Sequence, residues 1–339
     1  MRALVCEEVG SVTLREVPEP TPLPGEVIVR MEAALTCGTD LKMIRRGHPK
    51  VPFPVVLGHE LAGVVHRVGE GTHFGPGERV VPVVTGPCGG CEACQAGREN
   101  LCPTAFDRPL WGAFADLVRV PERVVRRGLR RLPEGVSFKA AALLDPLASV
   151  VRGLSRVPLP PGATVLLYGC GPIALLFAVL ARRAGVTRLL AVGRRPSRLA
   201  ALRAQGAEVF DRSAMNVRAA VRQATGGRGA DAVVDTTGDA STVSDLVELA
   251  ARGGTVLLFA GMPRDARIEV EAARIHYDEV SLAGSFHYTP ADADEALGLL
   301  HAGAIPIDDV VTATRPLADY ADVLARAMRG EGMKTAFVP

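Results

Sequence analysis

A chain of 339 residues, 48% hydrophobic and 22% charged, has the composition of a globular protein of about two domains. Its 39 Lys and Arg against 37 Asp and Glu leave a net charge of +2, which suggests neither a nucleic-acid groove nor attraction to an anionic membrane surface. Only 4% of the residues are aromatic, too few for a base-stacking platform.

The N-terminal MRALVCEEVG is interrupted by Glu7 and Glu8 before a long apolar run can form, so it is not read as a signal peptide and the expected compartment is the cytoplasm. Residues 1–150 read as β-rich: EVIVRMEAAL, PVVLGHELAGVVHRVG and GERVVPVVT are Val/Ile-rich runs punctuated by Gly and Pro. No amphipathic pattern of helical length is expected before Phe138, where FKAAALLDPLASVVRGL begins. From Ala163 strand-like and helix-like runs alternate: TVLLYG then PIALLFAVLARRAG, RLLAVG then SRLAALRAQG, ADAVVDTTG then STVSDLVELAARGG, and TVLLFAG. That alternation predicts βαβ units and an α/β fold with a doubly wound parallel sheet over 151–287. ADADEALGLLHAG through MKTAFVP adds two helical stretches and a strand, so 288–339 is expected to return to the first domain. The uncharged stretch ATVLLYGCGPIALLFAVLA is long enough to cross a bilayer, but Gly169, Gly171 and Pro172 divide it into a strand-like and a helix-like half. No membrane partner is expected.

The same stretch carries the first chemical signal. Gly169-Cys170-Gly171-Pro172-Ile173-Ala174 follows a predicted strand and opens a helix, matching the G-x-G-x-x-G/A dinucleotide pattern. Gly169 permits the tight turn, Gly171 lets a pyrophosphate approach the backbone, and the helix that opens at Pro172 and Ile173 offers the free N–H groups of its N-terminus to anions. An NAD-type site places an acid at the end of the next strand, about 20 residues on. Here that strand ends in Gly193-Arg194-Arg195, a small residue and two phosphate-matching guanidiniums, which points to NADP(H).

Cys88, Cys91, Cys94 and Cys102 follow C-x2-C-x2-C-x7-C. Four thiolates fill a tetrahedral zinc and leave no open position, so this loop is read as a structural zinc site that cannot bind substrate. Chemistry must then lie elsewhere, and Cys37-Gly38-Thr39-Asp40 and Gly58-His59-Glu60 stand out. Either stretch alone is more often packing than ligand.

Taken together, CGTD at 37–40, GHE at 58–60, the four-cysteine loop, LDPLA at 144–148 and GCGPIA at 169–174 give the chain a resemblance, nearly end to end, to the zinc-dependent medium-chain dehydrogenase/reductase family, in its alcohol, polyol and threonine dehydrogenase branch. The resemblance implies a GroES-like β-rich catalytic domain with a Rossmann domain, a catalytic zinc in the cleft between them, and two zinc ions per chain. It implies Cys37 and His59 as catalytic zinc ligands, Glu60 as an adjacent acidic ligand, Asp145 as a third ligand or a nearby acid, and Thr39 as the hydroxyl that hands off the substrate's proton. Neighbouring strand residues point to opposite faces, so His59 and Glu60 can share a metal only if the chain turns there, with Gly58 the residue to allow it. Two carboxylates on the metal would make the site anionic, so one is expected at a time. Lys42 stands where some relatives carry a relay histidine; His48 is a candidate for that role, though an exposed loop histidine describes it more simply. Phe53 and Trp111 are candidates for the pocket lining or for core.

The implied activity is NADP(H)-linked interconversion of a small-molecule secondary alcohol (a polyol, a sugar or cyclitol derivative, or an amino alcohol) and its ketone, in a homo-oligomer. Two rivals remain at this level: a zinc-free NADPH-dependent enone or quinone reductase, and a non-enzymatic zinc-stapled nucleotide-binding module.

Overall fold

Five consecutive buried residues, Thr164–Tyr168, suit a strand covered on both faces, as in a parallel sheet. In the computed structural model, which describes residues 1–47 and 51–339, this strand is central in a six-stranded sheet. The order across the sheet is Glu208–Asp211, Arg188–Gly193, Thr164–Tyr168, Ala230–Asp235, Ala250–Leu258 and Ser281–Gly284, with every neighbouring pair parallel. Counted along the chain this is 3-2-1-4-5-6, the doubly wound order whose reversal beside the first strand places a ligand crevice at the strands' C-terminal ends. Pro172–Arg183 starts on a proline, which needs no N–H at a first helical position, and buries eight of its twelve residues. Glu208–Asp211 and Ser281–Gly284 were not picked out by the alternation of the sequence; each is short and bears at most one buried residue.

The sheet belongs to a unit of residues Ser149–His287. The other unit joins Met1–Ala148 to Tyr288–Pro339, so the division falls inside the helix Leu144–Leu154. Its main sheet runs Val311–Pro316, Lys334–Val338, Val27–Leu35, Glu60–Val68, Arg79–Pro82 and Leu129–Arg131, with Leu117–Val120 also paired to Val27–Leu35. Val27–Leu35 is nearly all buried, as expected for a strand with partners on both edges. A smaller sheet orders Ser11–Glu16, Arg2–Glu8 and Val55–Val56.

The expectation of no helix before Phe138 is corrected: Gly38–Arg46 and Glu122–Gly128 are helical. Gly38–Arg46 buries only Asp40, Met43 and Ile44, too few for a visible 3.6-residue period. Its start is fixed locally instead, by Asp40 accepting a hydrogen bond from the Cys37 backbone N–H at 2.9 Å. Among the described residues no helix is long and apolar enough to cross a membrane. His48 lies outside the described residues.

Candidate metal centres and cofactor site

Gly58 sits at φ +88°, and a Cβ there would lie 2.6 Å from the Phe114 ring, so this position requires glycine. The turn it makes leaves His59 outside the strand, which begins at Glu60. The period-two rule therefore does not separate the two side chains. One ligand atom each from Cys37, His59 and Glu60 lies within 4.8 Å of the others. Thiolate, imidazole and carboxylate are a donor set that zinc takes. Among the described residues the only other such group is Cys88, Cys91, Cys94 and Cys102.

Around Cys37 and His59 the charges are arranged for metal binding. Burial alone would raise the Cys37 thiol, but the positive charges of Lys334 and His59 and a hydrogen bond with His59 outweigh it and bring the pKa down to about 6. Burial opposes the His59 imidazolium, and the negative charges of Asp40 and Cys37 outweigh it, raising that pKa well above its ordinary value. Asp40 Oδ1 stands 3.2 Å from His59 Nδ1, a carboxylate–imidazole arrangement that leaves Nε2 as the donor. The edge of Trp111 packs on the His59 ring at 5.1 Å and 70°. Phe53 instead approaches Gly47.

Asp145 is not in the donor group. Its Oδ1 accepts a hydrogen bond from the Tyr288 hydroxyl at 2.6 Å, and burial raises its pKa while His59 and Glu60 act on it with opposite signs. Glu60 has a partner absent from the sequence reading: both its oxygens accept from Lys334 Nζ, at 2.8 and 2.7 Å. Thr39 is the second residue of the helix Gly38–Arg46 and half-buried; Lys42 is exposed on the same helix.

The four-cysteine loop fits its metal by spacing. Sulfurs on a tetrahedral zinc at about 2.3 Å stand about 3.8 Å apart. Cys88 Sγ and Cys94 Sγ are 3.9 Å apart. Backbone N–H groups of Cys88, Gly89, Gly90 and Cys91 donate to these sulfurs at 3.3–3.4 Å, which favours thiolates. Burial raises Cys94 to about 12, whereas at Cys102 burial is overcome by the Cys88 N–H and Thr104, bringing it down to about 6. Arg123 pins the far side of the loop, donating to Thr104 O at 3.0 Å and Oγ1 at 2.8 Å.

At the glycine motif, Gly169 has φ +119° and a Cβ would meet Thr236 Oγ1 at 2.1 Å. Gly171 caps the helix Pro172–Arg183 without a side-chain cap hydrogen bond, and Ile173 follows Pro172 in the first turn. Gly193 ends its strand for a reason the sequence hid: a Cβ there would lie 2.4 Å from Cys170 Sγ and 2.9 Å from Leu199. Packing therefore demands this glycine whatever occupies the site. Arg194 is exposed and Arg195, half-buried, caps the helix Pro196–Ala204. Two further cations were missed. Arg198 Nη1 comes within 4.0 Å of the Cβ position of Gly171, and the Arg212 guanidinium lies 5.6 Å from the Tyr168 ring. Burial, then the charge of Arg195, lowers the Arg198 pKa, so a like charge is already crowded there.

Residues 23–129 match the family described as the alcohol dehydrogenase GroES-like domain, and residues 172–302 match the zinc-binding dehydrogenase family. The chain is 28% identical to sorbitol dehydrogenase of Bacillus subtilis (strain 168), over 100% of this chain and 97% of that protein. It is 32% identical to D-altritol 5-dehydrogenase of Agrobacterium fabrum, over 94% of each. A Sinorhizobium meliloti protein described as a zinc-binding dehydrogenase, solved with NADP bound, superposes with a TM-score of 0.89 at 32% identity, covering 100% of this chain and 99% of that one.

Proposed function

The chain belongs to the zinc-dependent medium-chain dehydrogenase/reductase family, and from that premise we propose that it interconverts a secondary alcohol and its ketone with NADP(H), on a polyol, a sugar or cyclitol derivative, or an amino alcohol. The observation that carries the reading is the convergence of Cys37, His59 and Glu60, a three-donor set of the kind that leaves a zinc coordination position for substrate. The curated relatives named above act, by their names, on polyols. In this reading the Cys88, Cys91, Cys94, Cys102 loop holds a second, structural zinc.

When bound, zinc supplies Lewis acidity that eases loss of an alcohol proton, and NADP(H) supplies the hydride acceptor or donor. Cys37 and His59 hold the metal, with Asp40 fixing the imidazole through Nδ1. The Thr39 hydroxyl relays the alcohol's proton on oxidation, accepting it while passing its own proton on towards water, and runs the same relay backwards on reduction. Asp145, oriented by Tyr288, stands by as the neighbouring acid. Gly169, Gly171, Pro172 and Ile173 present the open helix end to the pyrophosphate.

The NADP preference rests on the lack of an acid at Gly193 and on Arg194, Arg195, Arg198 and Arg212 around it. A 2′-phosphate relieves the repulsion between Arg195 and Arg198. Replacing both by Leu is expected to lower kcat/KM for NADP+ by more than about 100-fold, because each charge-assisted hydrogen bond contributes about 1.5–3 kcal/mol, and to leave NAD+ within about threefold. Steady-state kinetics on a polyol and amino-alcohol panel with both cofactors is the check, and equal losses for the two would remove the phosphate role.

An NAD-type acid cannot simply be installed. Gly193→Asp alone forces its Cβ onto Cys170 and is expected to cost about 1–3 kcal/mol of stability without gaining NAD+ activity. Together with Cys170→Gly, which removes the obstructing sulfur and Cβ and leaves only the movable end of Leu199 to shift, it is expected to recover part of that stability and to favour NAD+. Melting curves and cofactor ratios of the single and double variants read this out.

Homo-oligomerisation belongs to the same proposal. Ser281–Gly284 ends the strand order of the parallel sheet, with Leu282, Tyr277 and Phe286 exposed along or beside it, the kind of edge a second chain covers. Cytoplasmic residence is likewise proposed, consistent with seven cysteines outside any disulfide.

A further inference from the structure

Lys334 is 4% exposed, and its three ammonium hydrogens meet three acceptors: Glu60 Oε1 at 2.8 Å, Glu60 Oε2 at 2.7 Å and the Thr36 carbonyl at 3.0 Å. The strands carrying Lys334 and Glu60 flank Val27–Leu35 on opposite edges, and the ammonium reaches across the end of that middle strand. Thr36 N–H donates to the Thr335 carbonyl, and Thr335 N–H to Thr36 Oγ1, each at 3.0 Å, so the backbone beneath the pair is tied on both sides. The ammonium therefore has a fixed seat with both carboxylate oxygens engaged.

Glu60 thus belongs to two sets at once, the metal donors and the buried ion pair. A carboxylate already countered by an ammonium is a weaker donor to a metal, and a divalent cation entering the cluster meets the lysine's charge at short range. With Cys37, Glu60 and the Asp40 carboxylate beside His59 ionised and His59 neutral, Lys334 brings the zinc-loaded cluster to neutrality; without it the cluster carries one net negative charge. We propose that Lys334 is a positioning residue for the Cys37–His59–Glu60 centre: it makes Glu60 a releasable donor and keeps the loaded centre from becoming anionic, which favours an electron-rich alcohol oxygen. The inference rests on the zinc reading of that cluster.

The test is zinc affinity, measured by chelator competition on the zinc-loaded chain, with Cys37→Ser marking which released ion belongs to this centre. Lys334→Met keeps the length of the side chain and removes the charge. It is expected to bind that zinc about tenfold more tightly or better and to release it more slowly, and the d–d bands of the cobalt-substituted centre shift as Glu60 becomes a permanent donor. Lys334→Arg, which restores the cation, is expected to hold affinity within about threefold of the parent. A purely structural lysine would lower stability in Lys334→Met and leave zinc affinity and the cobalt bands unmoved; that result, or weaker binding, overturns the proposal. Should Lys334→Met fail to fold, Lys334→Gln, which is neutral but still donates to Glu60, is read in the same way. A parent chain with no Cys37-dependent zinc overturns the zinc reading and the proposal with it. A Cys37-dependent zinc indifferent to Lys334 overturns the proposal alone.

Discussion

Serine in place of Cys37 is expected to take the zinc content from two ions per chain to one and to lower kcat/KM on the alcohol by about three orders of magnitude. The thiol is drawn towards its thiolate, at about 6, by Lys334 and His59 against the pull of burial. A serine hydroxyl in that position stays protonated and is a poor zinc ligand. Metal-assisted charge stabilisation is worth several kcal/mol, and each factor of ten in rate corresponds to about 1.4 kcal/mol, which sets the size of the loss. Elemental mass spectrometry gives the ion count and steady-state kinetics the rate. Circular dichroism checks that the helix Gly38–Arg46, which Cys37 caps, still forms. An unchanged zinc count with activity within tenfold of the parent would leave the zinc-free reductase as the better reading. Nucleotide binding with no turnover on any alcohol in the parent chain would favour the binding module.

Cys94→Ser acts on the other metal and is expected to show its effect in stability more than in chemistry. Cys94 is buried, and the loop is otherwise secured by the Arg123 bonds to Thr104 and by one four-residue and one three-residue helical turn, Glu92–Gln95 and Glu99–Leu101. A segment with so small a core depends on its metal, and binding free energy at structural zinc sites is largely folding free energy. We expect loss of one zinc and a fall in melting temperature of about 10 °C or more. Trypsin should cut faster at the exposed Arg98, which lies inside the loop. The Cys37-dependent zinc should remain. If both ions left together, the two sites would be coupled and the staple would not be a separate element.

The parts of this site that were legible in the sequence are those whose chemistry is written at short spacing. C-x2-C-x2-C-x7-C, GHE and GCGPIA each place their residues within one turn or loop, and the structure brings each set together locally. What could not be read depends on residues distant in the chain. Lys334 is 274 positions from Glu60, and Tyr288 is 143 from Asp145; only the return of residues 288–339 to the first sheet makes them neighbours. Asp40 stands within CGTD, yet only the fold brings it beside His59 Nδ1. Gly193 was seen as room for a phosphate, while its stronger constraint, the Cys170 sulfur, is a contact between two turns that no periodicity reveals. The alternation that disclosed the parallel sheet missed Glu208–Asp211 and Ser281–Gly284 because strands with so few buried residues carry little pattern.

The division of the chain also sets an order of assembly during synthesis. Residues Ser149–His287 are contiguous, so all six parallel strands are available once residue 287 has left the ribosome. The unit that begins first must wait: Leu117–Val120 covers only the first half of one edge of Val27–Leu35, and Ala34 and Leu35 lack their partner there until Lys334–Val338 emerges. The second unit can thus close before the first, reversing the usual progression from the N-terminus. The two clusters of metal-binding side chains assemble in the same staggered way, since the cysteine loop is whole after residue 102, whereas Glu60 gains its counter-charge only when residue 334 is in place.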